Sequence, residues 1–179
     1  MHTQPHRGRL TTCGDHVIPA QKGAMASSLE LPMSNENLSG ESPPSYVCSV
    51  CGFALWNPVC QLRVSFLGLY NDARFPGRAL LVLNEHIEHW EDIPSSLLNA
   101  YVADSQKAIK ALSAVTNAER VNLAVLGNTD AHVHFHLIPR YPEREELPNK
   151  SPWNDPRPQT KLDKDAMKEL IAALTEQLM

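Results

Sequence analysis

Hydrophobic and polar positions alternate most strictly over His132–Ile138, where Val133, Phe135 and Leu137 are interleaved with His132, His134 and His136. Period two belongs to a β-strand, so the three imidazoles share one face, about 7 Å apart at roughly 3.3 Å per residue. A looser alternation predicts a strand over 62–70, a turn over 71–77 by its Asn, Asp, Pro and Gly, and a return strand over 78–83. From Pro94 to about Asn117 the period is helical, with Leu97, Tyr101, Ala108, Leu112 and Val115 at three- and four-residue steps. Asp92 is the expected cap of that helix and Pro94 suits its first turn. A further strand is expected over 121–126, then a tight turn over 127–130 that returns the histidine row antiparallel. Beyond Arg140 the chain is polar and Pro-rich to about Thr160 and carries Trp153, an arrangement that suits a long functional loop. A closing amphipathic helix places Leu162, Met167, Leu170, Leu174 and Leu178 on one face, with Asp163 near its start.

Residues 1–44 show no sustained period and are punctuated by Pro5, Pro19, Pro32, Pro43 and Pro44. Such a segment buries too little apolar surface to offset the entropy of ordering it, so a flexible tail is expected there. The division that follows is a tail over 1–44, one domain over 45–160, and a helix over 161–179 packed on that domain. A chain of 179 residues, 42% hydrophobic, supports one core of ordinary size. The net charge of −4 argues against long nucleic acids held by phosphate neutralisation, but leaves room for a small anionic ligand. Apolar runs such as Ala79–Leu83 fall far short of the about 20 residues that a membrane-spanning helix needs. Four cysteines do not make a disulfide scaffold at this size, and a cytoplasmic protein with reduced thiols is expected.

A row of three histidines reads as a metal site, an acid–base and nucleophile row, or a shared version of both. The two-residue spacer of Cys48-Ser49-Val50-Cys51 lets both thiolates face one tetrahedral ion. A closed site needs two more ligands, which must be downstream histidines because no second Cys pair exists. His86, directly after the return strand, is preferred over His89, which lies further into the loop. A thioredoxin-like redox pair would call for a βαβ setting that the pattern around Cys48 lacks. Cys60 reads as a buried small apolar residue, and His2, His6, Cys13 and His16 as solvated tail.

Taken in order, the Cys-x-x-Cys, Phe75-Pro76-Gly77 before a Leu/Val strand, His86 after it, the long helix, Leu126-Gly127-Asn128, the His-φ-His-φ-His-φ-φ row and Pro139-Arg140 resemble the histidine triad (HIT) superfamily of nucleotide hydrolases and transferases. The resemblance covers about residues 46–156. It implies an α+β, HIT-like fold: a five-stranded antiparallel sheet, one long packed helix and, usually, a homodimer. It also implies that His134 attacks a nucleotide α-phosphorus to form a covalent nucleotidyl-histidine, while His136 donates to a phosphate oxygen. The substrate classes implied are dinucleoside polyphosphates, such as diadenosine tetraphosphate, and nucleoside phosphoramidates. In zinc-bearing members the positions matching Cys48, Cys51, His86 and His132 hold a structural zinc ion. Asn128 stands where many members carry Gln against phosphate near the leaving group, and Asn71, with Asp72 second, best matches the ribose contact. The other function class is a nucleotide-binding interaction protein with negligible turnover. A redox transition-metal site on the histidine row is the third.

Overall fold

The computed structural model describes residues 46–179, and the tail expected over 1–44 lies outside the described residues. Its strands and α-helices follow in order as β1 (Tyr46–Val47), β2 (Ala54–Leu55), β3 (Pro58–Gln61), β4 (Ser65–Leu69), β5 (Ala79–Leu83), α1 (Ser95–Thr116), β6 (Arg120–Val125), β7 (His134–Arg140) and α2 (Lys164–Leu178). Strands β3 to β7 form a five-stranded antiparallel sheet in the order β3-β4-β5-β7-β6, and β1 and β2 pair as a separate hairpin. The fold is α+β, as the sequence led one to expect.

The register sorts the side chains. Leu67, Leu81 and Phe135 stand in one row across β4, β5 and β7, and Leu69, Ala79 and Leu137 in the next. All six are buried and form the core with α1 and α2. Tyr101 of α1 stacks on Phe135 with ring centroids 4.3 Å apart, and its hydroxyl donates to the Leu81 carbonyl at 2.6 Å. Each such side chain removed from water contributes roughly 1.5–3 kcal/mol. The alternate rows, Phe66–Val82–His134 and Gly68–Leu80–His136, face the opposite way. A flat helix-packed face and a histidine-bearing face therefore come from one alternation.

Three expectations need correction. The strand expected over 62–70 is broken: Leu62 N–H donates to Ser65 O at 2.8 Å in a turn, and Pro58–Gln61 is a strand of its own. The buried carboxylate of Asp104, on α1, explains the break, because it accepts from Val64 N (2.9 Å), Arg63 N (3.3 Å) and Ser65 Oγ (2.7 Å). Asp92 does not cap α1; it ends a short 3-10 turn over Trp90–Asp92, and Pro94 occupies the cap position without a side-chain hydrogen bond. Proline holds the preceding Ile93 extended, so the two helical segments cannot merge. The connection between β6 and β7 is also no tight turn, since residues 126–134 lie between Val125 and Phe135, its neighbour in register. Val133 N–H donates to Ile87 O and His132 turns toward the hairpin, which opens the loop.

Two glycines are required by close approach. Gly77 has φ of +86°, and a Cβ there would lie 2.6 Å from Thr116 at the end of α1. At Gly68 a Cβ would press on both methyls of Leu55, so its absence lets the β1–β2 hairpin lie on the histidine face. Asp163 caps α2 by accepting from Asp165 N and Ala166 N, and Met167, Leu174 and Leu178 enter the core. No helix of the described residues is long and apolar enough to cross a membrane.

Candidate functional site

The three histidines part company at the start of β7. His132 lies just before the strand and joins the β1–β2 hairpin, whereas His134 and His136 project from the sheet itself. Cys48, Cys51, His86 and His132 converge, their ligand atoms all within 4.8 Å of one another. A tetrahedral zinc ion with Zn–N near 2.05 Å and Zn–S near 2.3 Å requires separations of roughly 3.3–3.8 Å between ligand atoms. Three of the six separations are 3.4 Å from His86 Nδ1 to His132 Nδ1, 3.4 Å from Cys51 Sγ to His132 Nδ1, and 3.7 Å from Cys48 Sγ to His86 Nδ1. Both imidazoles offer the same nitrogen, and their outer nitrogens are braced. His132 Nε2 donates to Leu83 O at 2.8 Å, and His86 Nε2 faces Glu88 at 3.5 Å. Oriented outer partners of this kind are what metal-ligating histidines need. Burial pushes the His132 pKa down and so favours the neutral ring that binds a metal. The donor set fits zinc, and His89 takes no part in it.

His134 is buried and its ring is fixed. Nδ1 donates to the carbonyl of His132 at 2.7 Å, which leaves Nε2 with the free lone pair. Phe53, at the base of the hairpin, lies against both His132 and His134 with ring centroids 5.5 and 5.3 Å apart. His136 stands edge-on to His134 at 4.9 Å. Its pKa is pushed down to about 4, first by burial and then by the neighbouring His134 and Arg78. Trp153 sits in a 3-10 turn over Pro152–Asn154 and meets His136 edge to face at 5.6 Å. A cleft of about 230 Å³ runs between residues 88–91 and the 125–134 loop, with His132 and His134 in its wall.

The structure does not gather all the expected site residues. Asn128 is exposed on the 126–133 loop. The Oδ1 of Asn71 accepts from Leu162 N at 2.7 Å, which ties the lead-in of α2 to the sheet. Asp72 is fully buried and ion-paired with both Arg74 and Arg78 at 2.8 Å. Those pairs hold its carboxyl below the usual range despite burial. Sequence reasoning missed Phe53, Tyr70 and Arg78, which line the face around the row; only their period-two spacing from Leu55, Gly68 and Leu80 hinted at it. It also gave Arg140 no task. The Arg140 guanidinium binds Glu145, Asn122 Oδ1 and the carbonyls of Pro148 and Lys150, and so folds the Trp153 segment back onto the domain.

Comparisons with known proteins bear on the fold. A HIT-like protein of Methanocaldococcus jannaschii is 32% identical over 72 residues, a match that spans 38% of this chain and 56% of that protein. A histidine triad protein of Bradyrhizobium japonicum superposes with a TM-score of 0.62 at 22% identity, covering 68% of this chain and 90% of the other. A hypothetical histidine triad nucleotide-binding protein of Sulfolobus tokodaii gives a TM-score of 0.51 at 18% identity, covering 68% and 82%. At these identities the two structures speak for the fold. Residues 59–143 match the HIT domain family model, and it is this stretch of the chain that is similar to histidine triad proteins.

Proposed function

We propose that this protein is a nucleotide hydrolase or nucleotidyl transferase that cleaves at an α-phosphorus through a covalent intermediate on His134. The observation that carries the reading is the 2.7 Å hydrogen bond from His134 Nδ1 to His132 O, because it leaves Nε2 as a nucleophile on an otherwise hydrogen-bonded, buried ring. In the first step the Nε2 lone pair forms an N–P bond while the P–O or P–N bond to the leaving group breaks, and the leaving group takes that electron pair. In the second, water or another acceptor forms a P–O bond, the N–P bond breaks, and a nucleoside monophosphate or its ester departs. His136, kept neutral by burial, donates to a phosphate oxygen and offsets the charge that develops there. Asn128 contacts phosphate near the leaving group, and Asn71 offers its amide nitrogen to the ribose. Dinucleoside polyphosphates of the diadenosine tetraphosphate type and nucleoside phosphoramidates are the substrate classes. The binding of nucleotides claimed for the Sulfolobus relative supports the ligand class.

Zinc, when bound by Cys48, Cys51, His86 and His132, supplies a structural cross-link between the hairpin and the start of β7. The four protein ligands close the coordination sphere, which is the structural type and leaves no position for substrate. A cytoplasmic homodimer is part of the same reading. Its support is β6, a sheet edge whose Leu123 and Val125 are each 42% exposed. The test is turnover of an adenylyl panel by the full chain and by His134→Ala. Release of monophosphate that disappears in the variant supports the enzyme. Retained nucleotide binding with no turnover in either protein leaves a nucleotide-binding interaction protein instead.

A further inference from the structure

Two buried nitrogens on the histidine face have no partner among the described residues, Nε of Arg78 and Nδ1 of His136. Arg78 immediately precedes β5. The register that sets Ala79 against Leu137 and Leu80 against His136 puts Arg78 level with Ile138, on the same face as His136 and one diagonal step from it. Diagonal neighbours on adjacent strands lie roughly 7–8 Å apart, within reach of a long side chain. Both side chains meet the same indole: the Arg78 guanidinium carbon is 5.8 Å from the Trp153 ring centre, and the His136 ring 5.6 Å. The guanidinium is held from two sides and buried. Nη1 donates to Asp72 Oδ2 at 2.8 Å, the plane lies over Tyr70 at 4.2 Å, and the side chain is only 9% exposed.

An arginine side chain carries donors only and keeps its charge, so whatever faces its Nε–H must accept. A neutral imidazole has one nitrogen that accepts and one that donates. Of the two buried acceptors without a partner among the described residues, Asn84 Oδ1 and His136 Nδ1, the second shares the Trp153 indole with Arg78 and lies one diagonal step from it in register. We propose that Arg78 is a positioning residue that fixes the tautomer of His136 through one bridging water: the water oxygen accepts from Arg78 Nε–H and donates to His136 Nδ1, and so holds the ring proton on Nε2. The downward push that Arg78 exerts on the His136 pKa agrees with a cation close to a neutral ring. The benefit to chemistry rests on the reading of His136 as the phosphate donor, but the tautomer itself does not.

The experiment is two-bond proton–nitrogen correlation on the full chain, zinc-supplemented and ring-labelled at histidine, with His136 assigned through His136→Gln. The expected wild-type pattern has His136 protonated at Nε2, with Nδ1 unprotonated but carrying the nitrogen shift of a hydrogen-bonded acceptor. Arg78→Met, which keeps the length of the chain and removes the donor, is expected to convert His136 to a tautomer mixture while the His134 pattern stays. Protonation of His136 at Nδ1 in the wild type overturns the proposal, and so does an unchanged His136 pattern in Arg78→Met. Should that variant not fold, the wild-type spectrum decides alone. No substrate is consumed in this measurement. A chain that cleaves nothing yet shows the Arg78-dependent tautomer refutes the enzyme and keeps this inference, and active protein with the other tautomer does the reverse.

Discussion

The proton on His134 Nδ1 is committed to the His132 carbonyl, and His132 is in turn a member of the Cys48, Cys51, His86, His132 cluster. A metal at that cluster would therefore fix the peptide unit that orients the His134 ring. One zinc per chain is expected by metal analysis, lost in Cys48→Ser and retained in His134→Ala. Because Glu88 faces the outer nitrogen of His86, Glu88→Gln is expected to weaken zinc binding about tenfold in a chelator competition. His136 supplies a pH signature. Its folded-state pKa is depressed from 6.5 to about 4, so the unfolded chain takes up that proton first as pH falls. The stability it contributes is fully present above pH 6.5 and is lost as the pH falls toward 4. Asp72, also depressed, acts with the same sign lower down: its contribution is present above its ordinary value of 3.8 and is lost as pH drops through the folded value. A Tm that falls in two stages on acidification, with only the upper stage removed in His136→Gln, is the expected result.

Among the elements, β7, α1 and α2 were legible because each is a strong period: the helices bury one face, and β7 alternates histidines with the core residues Phe135 and Leu137. The Cys-x-x-Cys spacing and the position of His86 after β5 were also enough to name a cluster that the fold then assembled. What the sequence hid depends on groups far apart in the chain. The break between β3 and β4 is set by Asp104, some forty residues away on α1, which no local pattern at Leu62–Val64 can reveal. The resemblance makes Asn71, with Asp72 second, the match for a ribose contact before the Pro-Gly turn; the Oδ1 of Asn71 accepts from Leu162 N, and the Asp72 carboxylate pairs with Arg74 and Arg78, contacts that no local pattern shows. Arg78 was passed over as the opening residue of a strand, although its burial makes it part of the site wall. Asp104→Ala would leave two backbone N–H groups and the Ser65 hydroxyl without their acceptor. A loss of about 2–4 kcal/mol in urea unfolding is expected, against less than about 1 kcal/mol for removal of the exposed Asp165–Lys168 pair.

At the scale of the molecule, the sheet divides two tasks. Its helix-packed face holds the core, and its other face holds the histidine row between the β1–β2 hairpin and the Trp153 segment. The hairpin is short and its Leu55 is its main buried anchor, so a metal cross-link at the Cys48, Cys51, His86, His132 cluster would order it far more than it would the sheet. The open edge is β6, where Leu123, Val125 and neighbouring Leu126 are exposed. Light scattering is expected to give a dimer for the full chain, and Leu123→Lys with Val125→Lys a monomer of unchanged helix content.

The central claim is that His134 carries the nucleotidyl group between two displacements. Single-turnover mixing with an adenylyl substrate labelled at the α-phosphorus, quenched in denaturant and followed by mass spectrometry of the peptides, tests it most directly. One nucleoside monophosphate on the peptide that contains His134, absent from His134→Ala, is the result this account predicts. Release of labelled monophosphate from the wild type with no adduct at any quench time, or an adduct that persists in His134→Ala, would contradict it.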